Sequence, residues 1–224
     1  MDIISKYFSD FTDKQIQQIK LLEPLYKEWN EKINVVSRKD IDSLYLKHIL
    51  HSLSIAALFE FSPGMEVVDI GTGGGFPGIP LAIFFPDVQF LLVDSINKKL
   101  NIVKDIVQQI DLKNVTTLHT RIENIKNKKF DVAVSRAVAP LKDLWRWSKP
   151  LLKKKLKSPP VPNGTFGRVK NQNKDNNAPS GLICLKGGDL AQEIFESGTK
   201  PTVWKIHDIF KEDFFDEKYI LQIV

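Results

Sequence analysis

The stretch Glu66-Val-Val-Asp-Ile-Gly-Thr-Gly-Gly-Gly-Phe-Pro-Gly78 decides the fold of this 224-residue chain. Its first five residues are a short apolar, β-branched run, which predicts a buried strand. Glycines then follow in close succession, and a glycine lets the backbone approach a ligand because no Cβ stands in the way. Residues 79–85 predict a helix that ends near Pro86. This order of strand, glycine-rich turn and helix is typical of a nucleotide-like cofactor site.

Predicted strands and helices alternate through the rest of the chain. We expect strands at residues 89–94, 115–119, 130–135, 182–185, 202–208 and 219–224. Helices are predicted over 97–110 and 141–152, where apolar residues recur at helical spacing. Such alternation implies parallel strands joined by right-handed crossovers, so the fold class is α/β with a doubly wound sheet.

The first 62 residues form a different pattern, that of an amino-terminal helical cap. Ile16, Ile19, Leu22 and Trp29 recur at helical spacing. Asp40 or Asp42 is a candidate cap for a further helix that carries apolar residues from position 44 to 57. A turn at 62–64 then separates the predicted cap, 1–62, from a Rossmann-like domain, 63–224.

The bulk composition favours a soluble, cytoplasmic protein. The chain has a formal net charge of +5 and a pI near 9.1, a balance that fits a polyanionic partner without requiring one. Cys184 is its single cysteine, so no internal disulfide and no cysteine-rich metal cluster is possible. We expect no secretory signal at the start of the sequence, and no bilayer-spanning segment because no apolar run is long enough. We expect a monomer without a metal ion.

One segment, 153–180, does not fit the alternating pattern. It is rich in lysine, proline, glycine and asparagine and has no apolar periodicity. It also separates a predicted helix from the next predicted strand, although a connection of a few residues would be enough to join the two. We therefore predict a flexible insertion whose basic residues can contact an RNA backbone.

Carboxylates around the glycine turn discriminate between cofactors. The spacing Gly73-x-Gly75-x-x-Gly78 also satisfies the dinucleotide pattern, so the glycines alone allow NAD. Asp94 ends the second strand, where a carboxylate can accept both ribose hydroxyls of either cofactor. Asp69 stands ahead of the first glycine, where it would repel a pyrophosphate and favour the sulfonium of S-adenosylmethionine. Each acid alone could be a hydrogen-bonded strand-end residue.

The pair Ile122-Glu123 follows the third strand, where the adenine ring packs in this architecture. Ile122 would contact the ring and Glu123 would lie beside it. A solvent-facing glutamate is the alternative.

Absent motifs narrow the methyl acceptor. Methylation of a pyrimidine carbon needs a nucleophilic cysteine, whereas Cys184 lies in an apolar strand and fits a core position. An exocyclic amine typically requires an Asn/Asp/Ser-Pro-Pro-aromatic loop; Ser158-Pro159-Pro160 precedes Val161 rather than an aromatic residue. A ring nitrogen with a free lone pair needs no general base, only orientation and a cation near the base edge.

Two cations stand at the ends of strands four and five, where ligands bind in such sheets. Arg136 and Lys186 are therefore the candidate catalytic residues, and a structural ion pair is the alternative for each.

Several motifs resemble the bacterial small-subunit (16S) ribosomal RNA guanine-N7 methyltransferases, the glucose-inhibited division protein B family (GidB, RsmG). The resemblance covers nearly the whole chain outside the insertion. Its motifs are Trp29-Asn30-x-x-Ile33-Asn34, His48-Ile49-Leu50-x-Ser52, the segment 68–82, Val93-Asp94-Ser95-x-x-Lys98-Lys99, Arg121-x-Glu123, Ser135-Arg136-Ala137 and Leu185-Lys186-Gly187-Gly188.

The resemblance implies a class I S-adenosylmethionine-dependent methyltransferase: a Rossmann-like, mostly parallel seven-stranded sheet with an amino-terminal helical cap. It also implies methylation of N7 of one guanine in 16S rRNA, with the RNA or the small ribosomal subunit as partner. Together with the residue arguments above, the predicted cofactor contacts are Asp69, Gly71, Gly73, Phe76, Asp94, Ser95, Ile96, Ile122, Glu123 and Arg136. The RNA contacts it suggests are Asn34, Arg121, Arg136 and Lys186.

Two departures from the family pattern are visible. Many relatives have an acid at the position of His51, and the insertion before Leu182 is not part of the pattern. His48 is interpreted as a hydrogen-bonded packing residue rather than a catalyst. Two other functions stay open at this point: a class I methyltransferase acting on another RNA, a protein or a small molecule, and an NAD-dependent oxidoreductase.

Overall fold

A seven-stranded sheet forms the centre of the computed structural model, which describes residues 1–37, 39–136, 138–154 and 179–224. The strands in chain order are β1 (Glu66–Ile70), β2 (Gln89–Asp94), β3 (Val115–His119), β4 (Val132–Arg136), β5 (Gly181–Gly187), β6 (Thr202–Lys205) and β7 (Lys218–Ile223). Their spatial order is β3-β2-β1-β4-β5-β7-β6.

Strand direction divides this sheet into two parts. Strands β1 to β5 are parallel to one another, whereas β7 runs antiparallel to both β5 and β6. The chain moves outward from β1 through β2 to β3 and then returns to the other side of β1 with β4. Ligands in open α/β sheets bind at the carboxyl ends of the strands where this order reverses. The fold therefore places the binding crevice between β1 and β4.

Helices cover both faces of the sheet. Their bounds are α1 (Asp2–Ser5), α2 (Asp13–Lys32), α3 (His51–Leu58), α4 (Gly78–Phe84), α5 (Asn97–Gln109), α6 (Leu141–Ser148) and α7 (Ala191–Ser197). A capping box begins α2: the Thr12 hydroxyl accepts from the backbone of Gln15, whose side chain accepts from Thr12 N–H. The amino-terminal helices share one hydrophobic cluster with one face of the sheet, and a second cluster fills the other face.

The predicted helix over residues 44–57 is not one regular helix. A 3₁₀ turn (Ile41–Ser43) leads into a π-helix (Tyr45–Leu50), and α3 begins only at His51. Asp40, one of the two predicted caps, occupies the N-cap position of the 3₁₀ turn but makes no cap hydrogen bond, because its carboxylate accepts from Lys47 Nζ at 2.6 Å; Asp42, the other, lies inside the turn. The wide π-helical turn brings Lys47 and His48 toward the end of β4, as described below.

Three other predicted bounds were wrong. The fourth strand begins at Val132 because Phe130 pairs with Leu152 in an isolated bridge. Helix α6 ends at Ser148, and a 3₁₀ turn with Pro150 follows it. A 3₁₀ turn (Ile206–Asp208) likewise shortens the predicted strand 202–208. Helix α7 has no counterpart in the prediction.

Most of the predicted insertion, including Ser158-Pro159-Pro160, lies outside the described residues. Its amino-terminal flank is held at the start of the strands, where Lys153 Nζ lies 2.9 Å from Asp131 Oδ2 and 3.2 Å from Glu66 Oε2. Across the described parts of the chain, none of the helices combines the length and the apolar character required to cross a membrane.

Candidate cofactor and methyl-transfer site

A cavity of about 530 Å³ opens at the carboxyl ends of β1, β2 and β4. Its volume lies in the usual range for small-molecule sites. Five chain segments and parts of the cap line it: Val35, Val36, His48, Ile70–Gly74, Phe76, Val93–Ile96, Lys99, Thr120–Glu123, Arg136, Val138 and Trp147. The cavity therefore lies where the strand order predicts a ligand.

The turn at residues 71–78, called the glycine turn below, forms the floor of the cavity. Gly71 has a φ of +66°, and a Cβ at this residue would lie 2.5 Å from Val138 Cγ1. Gly73 has a φ of +56°, and a Cβ there would meet no atom within 4 Å. Gly71 is thus required because a side chain there would collide with Val138. At Gly73 the absence of a Cβ leaves the backbone open to contact by a ligand.

Asp69 holds the glycine turn from below. Its Oδ2 accepts from Thr72 Oγ1 at 2.6 Å and from the Gly78 N–H at 2.9 Å, while its buried Oδ1 has no partner among the described residues. Complete burial raises the pKa of Asp69 to about 7, against the opposing effect of these hydrogen bonds and of Arg136. The side chain is covered and does not line the cavity.

Asp94 joins the glycine turn to the end of β2. Its Oδ2 accepts from the Gly73 N–H and its Oδ1 from the Ile96 N–H, both at 2.8 Å. Each carboxylate oxygen can accept a second hydrogen bond. The two oxygens are therefore held in a fixed orientation at the cavity wall, where they can take the two hydroxyls of a ribose.

A stack of side chains joins the helical cap to the sheet at the other end of the cavity. The Tyr26 ring stacks on Phe76 at 5.0 Å, and the Arg136 guanidinium lies 4.9 Å from the centre of the Phe76 ring. The Tyr26 hydroxyl donates to Gly74 O at 2.5 Å. We call the group Tyr26, His48, Phe76 and Arg136 the cap junction.

Arg136 is held by the cap as well as by Phe76. Its Nη1 donates to Lys47 O at 3.3 Å and its Nη2 contacts His48 Nδ1 at 2.9 Å. Burial lowers the pKa of Arg136 to about 10, so the side chain stays a cation at neutral pH. The cation is thus positioned before any substrate arrives.

The contact with Arg136 sets the protonation of His48. A guanidinium can only donate, so His48 Nδ1 is the acceptor and the proton of the neutral ring is on Nε2. Burial, and then the charge of Arg136, lower the pKa of His48 to about 3. His48 is therefore neutral. The ring atom that remains for a ligand is Nε2, which carries the proton and can donate a hydrogen bond but cannot act as a base.

Buried donors and bare apolar groups on the wall fit an adenosine cofactor. His48 Nε2 and Trp147 Nε1 are buried and have no hydrogen-bond partner among the described residues, although both side chains belong to the cavity lining. Such donors are rare in folded proteins unless a ligand satisfies them. Ile96 and Val138 also line the cavity and are 48% and 42% exposed, so each offers apolar surface to a ligand.

The structure brings most predicted site residues together. Those that line the cavity are Gly71, Gly73, Phe76, Asp94, Ser95, Ile96, Arg121, Ile122, Glu123 and Arg136. Three do not: Asp69 faces the inside of the glycine turn, Asn34 is an exposed neighbour of the lining residue Val35, and Lys186 is in an ion pair with Glu193.

Some lining residues were missed by the sequence analysis. His48 was interpreted as a packing residue, and Val35, Val36, Val138 and Trp147 were not assigned to the site. The motif Trp29-Asn30 held a usable signal, because Asn30 Oδ1 accepts from the N–H groups of both valines and holds them beside the glycine turn. Trp147 offered none, since a tryptophan on an amphipathic helix is typical of a core residue.

Solved structures with the same architecture are methyltransferases. A precorrin-6y C5,15-methyltransferase from Geobacter metallireducens superposes with a TM-score of 0.51 at 10% identity, over 84% of this chain and 89% of its own. A SAM-dependent methyltransferase from Aquifex aeolicus gives a TM-score of 0.51 at 14% identity, over 83% and 97%. The fold is therefore that of the class I methyltransferases, which confirms the predicted fold class.

Sequence comparison then identifies the family. Residues 15–158 match the family described as rRNA small subunit methyltransferase G (GidB). Relatives named ribosomal RNA small subunit methyltransferase G are similar over the full length. The one from Flavobacterium johnsoniae is 46% identical, covering 100% of this chain and 97% of its own. The one from Bacteroides thetaiotaomicron is 47% identical, covering 99% and 98%.

The chain belongs to the rRNA small subunit methyltransferase G family, and the predicted resemblance is confirmed. S-adenosylmethionine is confirmed as the cofactor, and membership of this family favours a methyltransferase over the NAD-dependent oxidoreductase.

Proposed function

We propose that the protein transfers the methyl group of S-adenosylmethionine to N7 of a guanine in 16S rRNA. The bound cofactor supplies an electrophilic methyl group on a sulfonium. In this proposal Asp94 binds the ribose hydroxyls, Ile96 and Ile122 contact the adenine ring with Glu123 beside it, and Gly71 and Gly73 accommodate the rest along the floor. A methyl group presented toward the cap junction would meet the wall that Phe76 and Arg136 form there.

The observation that carries the choice of acceptor is the state of His48. The Nδ1 lone pair of this residue is occupied by Arg136, and its pKa of about 3 excludes proton uptake at neutral pH. Asp69 has a pKa of about 7 but is fully buried behind the glycine turn. Neither His48 nor Asp69 is therefore available as a base at the cap junction. Guanine N7 attacks with a lone pair and loses no proton, so it needs none.

Positioning by the cap junction then accounts for the chemistry. The fixed guanidinium of Arg136 can bind a carbonyl or phosphate oxygen of the acceptor nucleotide and leave the N7 lone pair directed at the methyl group. The Nε2–H donor of His48 is on the ring that contacts Arg136 and packs on Phe76. A direct attack of this kind obtains most of its rate from orientation and proximity.

Charge at the rim supports a nucleic acid as the acceptor. Lys99 and Arg121 line the cavity, and in residues 1–37, 39–136, 138–154 and 179–224 neither has a carboxylate within ion-pairing distance. Unpaired cations at the mouth of a site are suited to phosphate contacts, which position an RNA without reading its sequence. Asn34 precedes the lining residue Val35 and stays a predicted RNA contact.

The test is to incubate the protein with S-adenosylmethionine labelled in the methyl group and with small ribosomal subunits, free rRNA or lysate proteins. Label is expected in rRNA as 7-methylguanine, identified by nuclease digestion and mass spectrometry. Label at another position of guanine, or only in protein, would contradict the proposal. Mapping 7-methylguanine in rRNA from cells with and without the protein then identifies the nucleotide.

A further inference from the structure

Lys186 and Glu193 form an ion pair behind the segment that follows β4. Lys186 Nζ lies 2.6 Å from Glu193 Oε1 and donates to the backbone carbonyl of Ala139, also at 2.6 Å. The Lys186 side chain is only 9% exposed. The same oxygen of Glu193 accepts the backbone N–H of Leu141 at 2.7 Å. The pair therefore holds the main chain at two points on either side of Pro140.

The held segment is part of the cavity wall. Val138 immediately precedes Ala139, lines the cavity and packs over Gly71. Leu141 begins α6, so its N–H is one of the amide groups that a helix cannot satisfy internally. Helix α6 carries Trp147, which lines the cavity as well. Both Val138 and Trp147 thus depend on where this segment is fixed.

A role of Lys186 as an RNA contact conflicts with its surroundings. Two of its three N–H donors are used within the protein, and the ammonium is nearly covered. To reach a phosphate it would have to leave Glu193 as an uncompensated, partly buried carboxylate, which is strongly unfavourable. Lys99 and Arg121 face no such obstacle.

We propose that Glu193 is a positioning residue for methyl transfer, and that Lys186 anchors the cofactor wall instead of contacting RNA. Through Lys186 and the Leu141 N–H, Glu193 fixes residues 138–141 against the glycine turn. This deepens the proposed function and rests on its placement of the cofactor in the cavity.

The experiment is a double-mutant cycle on the full chain with Lys186→Met, Glu193→Leu and the double variant. S-adenosylhomocysteine affinity is measured by calorimetry, and KM for small ribosomal subunits and kcat are measured separately. Each single variant is expected to bind S-adenosylhomocysteine about tenfold more weakly, with KM for the subunits within about twofold of wild type. The double variant is expected to bind no more weakly than the worse single one, because it leaves neither charge unpaired.

Two further variants complete the design. Glu193→Gln keeps an acceptor for Leu141 and is expected to lose about threefold in affinity; it decides the question if Glu193→Leu does not fold. Glu196→Gln is the matched control, since Glu196 is exposed on the same helix and bonds only Gln192 among the described residues. Thermal unfolding of every variant checks the fold.

Two results would overturn the proposal. One is a raised KM for the subunits and a weaker salt dependence in Lys186→Met, with S-adenosylhomocysteine affinity unchanged in all Glu193 variants. The other is a double variant whose loss equals the product of the single losses. A wild-type protein that binds S-adenosylhomocysteine but methylates no rRNA would refute the proposed function alone, because the binding cycle still decides the role of Glu193.

Discussion

The glycine turn and the cap junction border the same cavity, and they are built in different ways. The glycine turn is held through its backbone N–H groups by residues that are near in the sequence: Asp69 accepts from Gly78, 9 positions away, and Asp94 accepts from Gly73, 21 positions away. In the cap junction, Arg136 meets His48 from 88 positions away and Tyr26 reaches Gly74 from 48. The glycine turn is thus a largely local structure, whereas the cap junction exists only when the cap is packed on the sheet.

The largest effect that would separate the two regions is expected from Gly71→Ala. A non-glycine residue at a φ of +66° costs about 1–3 kcal/mol, and displacing Val138 costs about 1–3 kcal/mol more. S-adenosylhomocysteine affinity, measured by calorimetry, should fall roughly a hundredfold or more. Gly64→Ala is the control: its φ is +80° with open space around it, so it should lower stability and leave affinity intact. Equal affinities for both variants would show that the turn tolerates a side chain.

Arg136→Ala tests the cap junction. It leaves Lys47 O and His48 Nδ1 without their donor and removes the cation over Phe76. We expect kcat with small ribosomal subunits to fall about a hundredfold, S-adenosylhomocysteine affinity to fall less than tenfold and the fold to persist. Arg146→Ala, which removes an exposed cation paired with Asp143, should leave both quantities unchanged. Unchanged turnover in Arg136→Ala would remove this residue from the site.

Asp69 makes the stability of the glycine turn depend on pH. Its pKa is about 7 in the folded state and near 3.8 when unfolded, so between these values the folded state binds a proton that the unfolded state has lost. Its contribution to the free energy of unfolding therefore decreases as pH rises from 4 to 7. Asp69→Asn should remove this decrease, on the order of 3 kcal/mol, in urea titrations across the range. Parallel pH profiles of wild type and variant would contradict the assignment.

Tyr26→Phe gives the smallest expected effect and tests whether the two regions communicate. The variant keeps the ring on Phe76 but leaves Gly74 O without its donor, which costs about 1 kcal/mol. S-adenosylhomocysteine affinity should decrease roughly fivefold, because the cap no longer holds the turn. Tyr219→Phe in β7 is the control, since its hydroxyl has no hydrogen-bond partner within the described residues. No difference between the two variants would show that the turn is independent of the cap.

The contrast between the two regions also explains which features could be predicted from sequence. Asp94 and the glycines were assigned because their roles follow from position relative to a strand end, and the structure places them at the cavity. The predicted orientation of Asp69 toward a sulfonium is not seen, because Thr72 and Gly78 compete for the same carboxylate. Spacing along the chain carries no information about such competition.

Lys186 and the region around His48 show the same limit. A lysine at a strand end looks identical in sequence whether its partner is a phosphate or Glu193, and α7, which carries that glutamate, was not predicted. The π-helix that turns Lys47 and His48 toward Arg136 adds one residue to a regular turn, a feature with no pattern in hydrophobic periodicity. Arg136 was therefore predicted correctly as a lining residue, whereas its partners Lys47 and His48 were not predicted.

The fixed tautomer of His48 gives the molecule an internal spectroscopic probe. Because Arg136 occupies Nδ1 and the pKa is about 3, the ring keeps its Nε2 proton throughout the physiological range. A proton shielded from water by burial exchanges slowly, so nitrogen-15 nuclear magnetic resonance should resolve it as a signal separate from those of exposed histidines. A ligand that accepts a hydrogen bond from this N–H will shift the signal, and its frequency will then report occupancy at the cap junction.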